Sequence, residues 1–120
     1  MCSQVAIVTA VSSGIGRAVV ASFLASGVKV LGVDIKPAPP SIKDDNFEFL
    51  QIDLIRPESS NLVAEACKSA FGGRIDILVN NAGIMDNSAS ADTIDDETWM
   101  RNIEINLTSP VKLMLSLIHI

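Results

Sequence analysis

A glycine-containing turn near the N-terminus has the composition of a phosphate-binding site. The run V-A-I-V-T leads into A-V-S-S-G-I-G, so that Ala10, Gly14 and Gly16 follow the pattern A-x-x-x-G-x-G. Backbone N–H groups at the start of a helix point towards one spot, and the helix dipole favours an anion there. Gly16 also allows the helix to lie close to the sheet. The residues predicted to hold a phosphate all lie in this turn: Ser12, Ser13, Gly14, Ile15 and Gly16.

Alanine stands where such turns carry their first glycine. A positive φ at Ala10 would cost roughly 1–2 kcal/mol relative to glycine, whereas a negative φ would cost nothing. We expect the turn to bind phosphate under either alternative, and to bind it more weakly under the first.

Asp34 ends a second predicted strand, at residues 28–34, and is placed to accept hydrogen bonds from an adenosine ribose. Its carboxylate would repel a 2′-phosphate, and Ser13 supplies no guanidinium to compensate. We therefore predict NAD as the cofactor in preference to NADP, although Lys36 lies close enough in sequence to weaken this preference. The alternative is that Asp34 is an ordinary solvated residue at a strand end.

Three segments resemble motifs of the short-chain dehydrogenase/reductase family. T-A-V-S-S-G-I-G resembles its T-G-x-x-x-G-I-G turn, L-V-N-N-A-G at residues 78–83 is similar to its N-N-A-G motif, and N-I-E-I-N-L-T-S-P resembles the helix bearing its catalytic Asn. Together with Asp34 and Asp53, these motifs cover residues 5–113. The resemblance implies the N-terminal half of a Rossmann-type NAD(P)-binding domain.

The resemblance also implies roles for single residues. Asp53 and the backbone of Leu54 would contact the adenine ring. The ribose side of the cofactor would be lined by Asn81, Ala82 and Gly83. Asn106 would match the family's catalytic Asn, whose backbone carbonyl holds a water joined to the catalytic Lys. The alternatives are that Asn80 and Asn81 cap turns and that Asn106 is an incidental polar residue of a helix.

Other catalytic residues of the family have no counterpart in this chain. In the family a Ser polarises the substrate carbonyl and a Tyr, with a Lys four residues later, transfers the proton, but this chain contains no Tyr. Because general acid catalysis needs a donor at the reacting oxygen, we expect a fragment without activity. We assign residues 1–114 to the N-terminal part of the domain. Residues 115–120, L-S-L-I-H-I, match a translated transposon-end sequencing adapter, and a natural apolar helix end is the alternative.

The elements that must position these residues alternate between strands and helices. We predict strands at residues 5–9, 28–34, 47–53 and 75–79, with helices at 15–25, at 57–71 and after a polar loop at 87–93. This alternation predicts an α/β doubly wound parallel sheet of order 3-2-1-4, whose ligand site lies at the carboxyl ends of the strands. The last helix would begin with a capping box formed by Thr93 and Asp96 and would carry Trp99, Ile103, Leu107 and Leu113.

The second predicted helix would present Leu62, Val63, Ala66 and Ala70 on its apolar face and end at Gly72 and Gly73. Strand 75–79 would be a bare apolar edge. We therefore expect the isolated chain to aggregate or to be molten, and the intact enzyme to be a homo-oligomer.

Charge and composition exclude several other classes. The formal net charge is −5, which argues against nucleic-acid and anionic-membrane partners because both require clustered cations. Cys2 and Cys67 have neither C-x-x-C spacing nor a histidine partner, so we expect free thiols and no metal site. No signal peptide or membrane-spanning segment is evident, and we expect a cytoplasmic protein.

The sequence is thus interpreted as part of an NAD(P)-dependent oxidoreductase acting on an alcohol or ketone. The alternatives are a non-catalytic NAD-binding module, or a ketoacyl-thioester reductase that uses NADPH when intact. A methyltransferase-like domain shares the first turn but has no reason to contain N-N-A-G.

Overall fold

A computed structural model describes residues 3–84 and 90–118 of the chain. The elements are β1 (Val5–Thr9), α1 (Gly14–Ala25), β2 (Lys29–Asp34), β3 (Phe47–Gln51), α2 (Ser59–Phe71), β4 (Ile77–Val79), α3 (Asp96–Ile103) and α4 (Ser109–Leu117). A π-helical segment, Glu104–Thr108, joins α3 to α4. Cys2, His119 and part of the predicted loop at 87–93 lie outside the described residues.

The four strands form one parallel sheet in the order β3-β2-β1-β4. This confirms the predicted α/β fold and strand order. β1 lies in the interior of the sheet, where Ala6 pairs with Val30 on one side and with Ile77 on the other. All five residues of β1 are buried, because helices cover both faces of a parallel sheet of this kind.

Alternate residues along the strands supply two apolar layers on opposite faces of the sheet. The layer beneath α2 and α4 contains Val5, Ile7, Leu31, Val33, Val63, Cys67 and Leu113. The layer beneath α1 contains Ala6, Val8, Val11, Val20, Val28 and Val30. The sheet is therefore held between α1 on one face and the α2–α4 pair on the other.

Two of the predicted strands are longer than the strands in the structure. β3 ends at Gln51 rather than at residue 53, and β4 begins at Ile77 rather than at residue 75. Asp53 is thereby released from the ladder, and its Oδ1 accepts a hydrogen bond from the backbone N–H of Ile55 at 3.2 Å. Asp76 turns its side chain back to accept a hydrogen bond from the N–H of Val5 at 2.8 Å. At Asp53 a local side chain–backbone bond replaces strand pairing. Asp76 instead stays bonded to β1 through its backbone as well, since its N–H donates to the Val5 carbonyl at 2.9 Å.

The predicted apolar face of α2 was partly wrong. Val63 is buried as expected, but Leu62 and Ala70 are exposed, and the core-facing positions also include Ala64 and Cys67. The buried face of α2 is thus shifted by about one residue from the predicted face. The position of α4, and not the local apolar periodicity, decides which residues of α2 are covered. The predicted stop was correct, because Gly72 takes a left-handed conformation with φ 76° directly after the helix.

The predicted capping box at the last helix was also wrong. Asp95 is the N-cap of α3, and its Oδ1 accepts a hydrogen bond from the N–H of Thr98 at 2.7 Å. Thr93 instead contacts Ser90 through its hydroxyl and its N–H. An aspartate at the N-cap position satisfies a free backbone N–H as well as a threonine does. Thr93 is therefore not needed as a cap, and it hydrogen-bonds within the turn at Ser90.

Exposed large apolar side chains are concentrated on the C-terminal helices, and the sheet has an open edge at β4. β4 pairs only with β1 in the described part of the chain, so its outer edge is open. Leu113 and Leu117 of α4 are buried. In contrast, large apolar residues on the outer side of α3 and α4 are exposed: Trp99, Met100, Leu107, Val111, Met114, Leu115 and Ile118. Among the described residues, no helix has the length and apolar character needed to cross a membrane.

Candidate functional site

The first βα turn is strained at the position where alanine replaces glycine. Ala10 has φ 59°, the left-handed conformation that favours glycine. Its N–H donates to the carbonyl of Val33 at 2.7 Å, which locks the turn to the end of β2. Gly16 is the residue that allows this geometry, because a Cβ there would overlap the Ala10 carbonyl oxygen. Of the two alternatives considered for Ala10, the structure has the strained one.

Thr9 joins this turn to the loop after β4. Its Oγ1 accepts hydrogen bonds from the N–H groups of Asn81 at 3.0 Å and Ala82 at 2.9 Å. The side-chain amide of Asn81 in turn donates to the carbonyl of Ala10 at 3.2 Å. Because Thr9 is 1% exposed, water does not compete for its hydroxyl. The N-N-A-G segment and the glycine turn are therefore held as one unit.

Asp34 closes the opposite side of the turn. Its Oδ2 accepts a hydrogen bond from the N–H of Ser12 at 2.9 Å, and its Oδ1 accepts one from the N–H of Lys36 at 3.0 Å. The Ser12 hydroxyl donates to the carbonyl of Pro37 at 2.7 Å. The carboxylate is thus fixed at the carboxyl end of β2, and both Ser12 donors are directed to the chain itself.

Asp53 and Leu54 form a second fixed point, after β3. The carbonyl of Leu54 accepts hydrogen bonds from the hydroxyls of Ser59 at 2.9 Å and Ser109 at 2.8 Å. Both serines are buried. The Asp53–Leu54 turn is therefore tied to the starts of α2 and α4 at the same time.

Asn106 lies in the π-helical segment and contacts the loop after β4. Its Oδ1 accepts from the N–H of Ile84 at 2.8 Å, and its Nδ2 donates to the Ile84 carbonyl at 2.9 Å. Pro110, four residues later, has no N–H to offer the Asn106 carbonyl. The side chain of Asn106 is thus committed to Ile84, while its carbonyl lacks the usual helical donor.

A cavity of about 330 Å³ opens at the carboxyl ends of the strands. Of the residues predicted from the sequence, its wall includes Ser13, Asp34, Asp53, Leu54, Ala82 and Gly83. The remaining predicted residues, Ser12, Gly14, Ile15, Gly16, Asn81 and Asn106, are not part of the wall. Asn81 and Asn106 hold wall residues in place, and Gly14–Gly16 begin the helix beside Ser13.

Sequence reasoning missed several wall residues: Ala10 as a wall contact, Ile35, Ile52, Ile84, Arg101 and Ile105. Ile35 and Ile52 are adjacent in sequence to Asp34 and Asp53. The two predicted aspartates could therefore have indicated that these isoleucines line the site. Arg101 and Ile105 share one helix face at i, i+4 spacing, but nothing in that spacing shows that the face meets the strand ends.

Cys67 takes no part in this site. It is a free thiol on the core side of α2, and burial raises its pKa to about 11. A thiol with so high a pKa is a poor nucleophile at neutral pH. Within residues 3–84 and 90–118, no cluster of His, Cys, Asp or Glu is arranged to hold a metal ion.

A parallel sheet of this order, with a glycine turn after β1 and a cavity over the strand ends, defines a Rossmann-type nucleotide-binding domain. Residues 4–120 match the family model described as short chain dehydrogenase. The chain belongs to the short-chain dehydrogenase/reductase family.

Relatives and solved structures agree with this assignment. The chain is 51% identical over 118 residues to the short chain dehydrogenase ausX of Emericella nidulans, covering 98% of this chain and 60% of the relative. It superposes on a 3-ketoacyl-(acyl-carrier-protein) reductase of Brucella melitensis complexed with NADH, with TM-score 0.88, 30% identity and coverage of 96% and 49%.

A short-chain dehydrogenase of Streptomyces avermitilis gives TM-score 0.87 at 27% identity, with coverage of 98% of this chain and 44% of that one. Across the curated relatives compared, the chain spans between 44% and 60% of their length. The matched region is therefore roughly half of a family member, and it is the half that contains the glycine turn.

Proposed function

We propose that this chain is the cofactor-binding portion of an NAD(P)-dependent oxidoreductase that transfers hydride between nicotinamide and the carbon of an alcohol or ketone. The observation that carries the proposal is the cavity bounded by Ser13, Asp34 and Asp53 at the ends of three strands. A dinucleotide needs an anion site at a helix start, a ribose acceptor and a slot for the base, and these three residues stand at such places.

The residues of this chain fit the parts of such a cofactor. The N-terminus of α1 faces the turn and is suited to the pyrophosphate. Asp34, held by the N–H groups of Ser12 and Lys36, offers its carboxylate to the adenosine ribose hydroxyls. The cofactor would supply the hydride, and the protein would orient it.

NAD is the proposed cofactor in preference to NADP. A 2′-phosphate would stand against the Asp34 carboxylate, and like charges in close contact repel. Lys36 lines the same cavity and reduces this repulsion, so we expect a preference for NAD and not absolute exclusion of NADP.

Catalysis by this chain alone is not part of the proposal. The sequence contains no Tyr, and the Asn106 carbonyl is proposed to hold a water for a proton relay whose other members lie in the remaining half of the family fold. The intact enzyme is proposed to be a cytoplasmic homo-oligomer. The exposed apolar side of α3 and α4 supports the oligomer, because a surface of this kind is typical of subunit contacts.

Two alternatives have support. Likeness to the Brucella melitensis 3-ketoacyl-(acyl-carrier-protein) reductase favours a ketoacyl-thioester substrate, and that structure contains NADH, whereas this alternative proposes NADPH. A non-catalytic NAD-binding module is supported by the cavity itself, since a dinucleotide can bind there without a proton donor. Oxidation of NADPH by acetoacetyl-coenzyme A would support the first, and saturable NADH binding without turnover of any ketone would support the second.

The decisive experiment is a calorimetric titration with NADH and NADPH. The protein is expressed together with any coding sequence that follows Ile120 in its gene. We expect saturable NADH binding, weaker NADPH binding, and a reduced difference between the two in D34S. D45S, which removes an exposed carboxylate outside the cavity, is the matched control. Absence of heat and of a fluorescence change at millimolar NADH would overturn the proposal.

A further inference from the structure

Arg101 is a cation on the cavity wall that none of the recognised motifs includes. It lies on α3, one helical turn before Ile105, and both residues line the cavity. The helix that carries them is anchored at two places, where Asn106 pairs with Ile84 and where Ser109 donates to Leu54. The backbone of Arg101 is thereby held at a set distance from the strand ends.

The charge of Arg101 is not used elsewhere in the described part of the chain. Salt bridges among residues 3–84 and 90–118 involve Arg56, Lys68 and Arg74, and Arg101 is in none of them. The cavity also contains the carboxylates of Asp34 and Asp53. Asp34 already accepts two backbone hydrogen bonds, and Asp53 accepts one through Oδ1. The second oxygen of Asp53 has no hydrogen-bond donor among the described residues.

The wall between these charged groups is apolar. Its members are the side chains of Ile35, Ile52, Leu54, Ile84 and Ile105. A flat ring with apolar faces, one amino donor and several acceptor nitrogens suits such a slot, because the carboxylate can accept from the amine while a guanidinium can stack on a face or donate to a ring nitrogen.

We propose that Arg101 determines specificity for the adenine end of the cofactor by contacting the adenine ring with its guanidinium group. The inference rests on the proposed function and deepens it. Arg101 adds a cation from α3 to a base slot whose carboxylates, Asp34 and Asp53, come from the ends of β2 and β3. Its contact is with the base and not with the nicotinamide half of the dinucleotide.

The test compares a whole dinucleotide with a half of it. NADH and reduced nicotinamide mononucleotide, which lacks the adenosine, are titrated by calorimetry into the wild-type protein, expressed with any coding sequence that follows Ile120. The same titrations are made with R101M and R101K. K112M is the control, because Lys112 is an exposed cation on α4 outside the cavity wall.

We expect R101M to weaken NADH binding by about 3- to 30-fold, the range of a cation–π contact, with the mononucleotide and K112M unaffected. R101K keeps the charge but loses the planar stacking group, so its NADH binding should also be weaker than wild type. R101K decides the question if R101M does not fold.

Two outcomes would overturn this inference. One is equal NADH affinity in wild type and both variants. The other is an equal loss for NADH and the mononucleotide, which would place Arg101 on the phosphate or in the general field of the site. A wild-type protein that binds no NADH would instead overturn the proposed function, and the role of Arg101 with it.

Discussion

The amide of Asn106 and the backbone of Ile84 are bonded in both directions, with Oδ1 accepting at 2.8 Å and Nδ2 donating at 2.9 Å. The side chain of a residue within a helix thus supplies both the acceptor and the donor that the backbone of Ile84 would otherwise find in a neighbouring strand. Gly83 fits beside it closely, since a Cβ there would lie 3.1 Å from the Asn106 Oδ1. The side chain of Asn106 thereby positions the loop after β4.

Replacing Asn106 with alanine tests this positioning role. N106A should lower the free energy of unfolding by about 1 kcal/mol, because two backbone groups of Ile84 lose their partner while water reaches the exposed site. Urea unfolding measures the change. N61A, at an exposed position of α2, should be neutral or slightly stabilising through helix propensity, and an equal loss in both variants would contradict the role.

Removing the hydroxyl of Thr9 should have a larger effect. In T9V the part-buried N–H of Ala82 loses its acceptor, and the N–H of Asn81 keeps only the Val79 carbonyl at 3.1 Å, which should cost about 2 kcal/mol. T9S keeps the acceptor and loses only a methyl group, so it should retain more of the stability. Thermal unfolding of the two variants provides the comparison, and T9V being as stable as T9S would show that the two hydrogen bonds are unimportant.

The strain at Ala10 predicts a stabilising substitution. Glycine relieves about 1–2 kcal/mol of left-handed strain and costs up to about 1 kcal/mol in unfolded-chain entropy. A10G should therefore stabilise the fold by roughly 0.5–1 kcal/mol and leave NADH affinity the same or higher. A21G, in the exposed face of α1, should be destabilised, and a loss of stability in A10G would refute the strain argument.

Acid should weaken the link between β1 and the start of β4. The Arg74 guanidinium and the N–H of Val5 hold the pKa of Asp76 below its usual value. Because the pKa is lower in the folded state, Asp76 stabilises the fold above its unfolded pKa of about 3.9, and this contribution disappears as the pH falls through the folded pKa.

D76N should remove this part of the pH dependence. Urea midpoints of the wild type and D76N, measured between pH 7 and pH 3, should differ most at neutral pH and converge in acid. A difference that stays constant over this range would contradict the assignment.

The 120-residue chain expressed alone should aggregate or behave as a molten species. The outer edge of β4 is open in the described structure, and Leu107, Leu115 and Ile118 are more than half exposed. Sedimentation and scanning calorimetry measure this directly. L115E should reduce the association, and a soluble monomer with a sharp, cooperative thermal transition would show the expectation to be wrong.

Much of the fold was predictable from local pattern. The buried β-branched runs, the glycines at 14, 16, 27 and 72, and the alternation of strands with helices indicated the parallel sheet and its order, which the structure confirms. The strands, helices and turns depend on residues close together in sequence, because the periodicity of apolar residues and the conformational preferences of turn residues determine local backbone structure.

The errors came from competition between local partners. Thr93 and Asp95 both have side chains that can satisfy free backbone groups, and only packing decides that Asp95 caps α3 while Thr93 joins the turn at Ser90. Leu62 and Val63 are both apolar, and the position of α4 decides that Val63 is the buried one.

The sequence by itself determined the glycine turn and the acidic residue at the end of β2, because both follow from short-range spacing. It also determined the order of the strands, because right-handed crossovers leave few arrangements of a parallel sheet. Only the tertiary structure decided that Asn106 holds Ile84, that Ser109 holds Leu54, and that Arg101 reaches the same cavity as Asp34. The physical reason is that these contacts join residues tens of positions apart, and their geometry depends on how whole helices pack against the sheet.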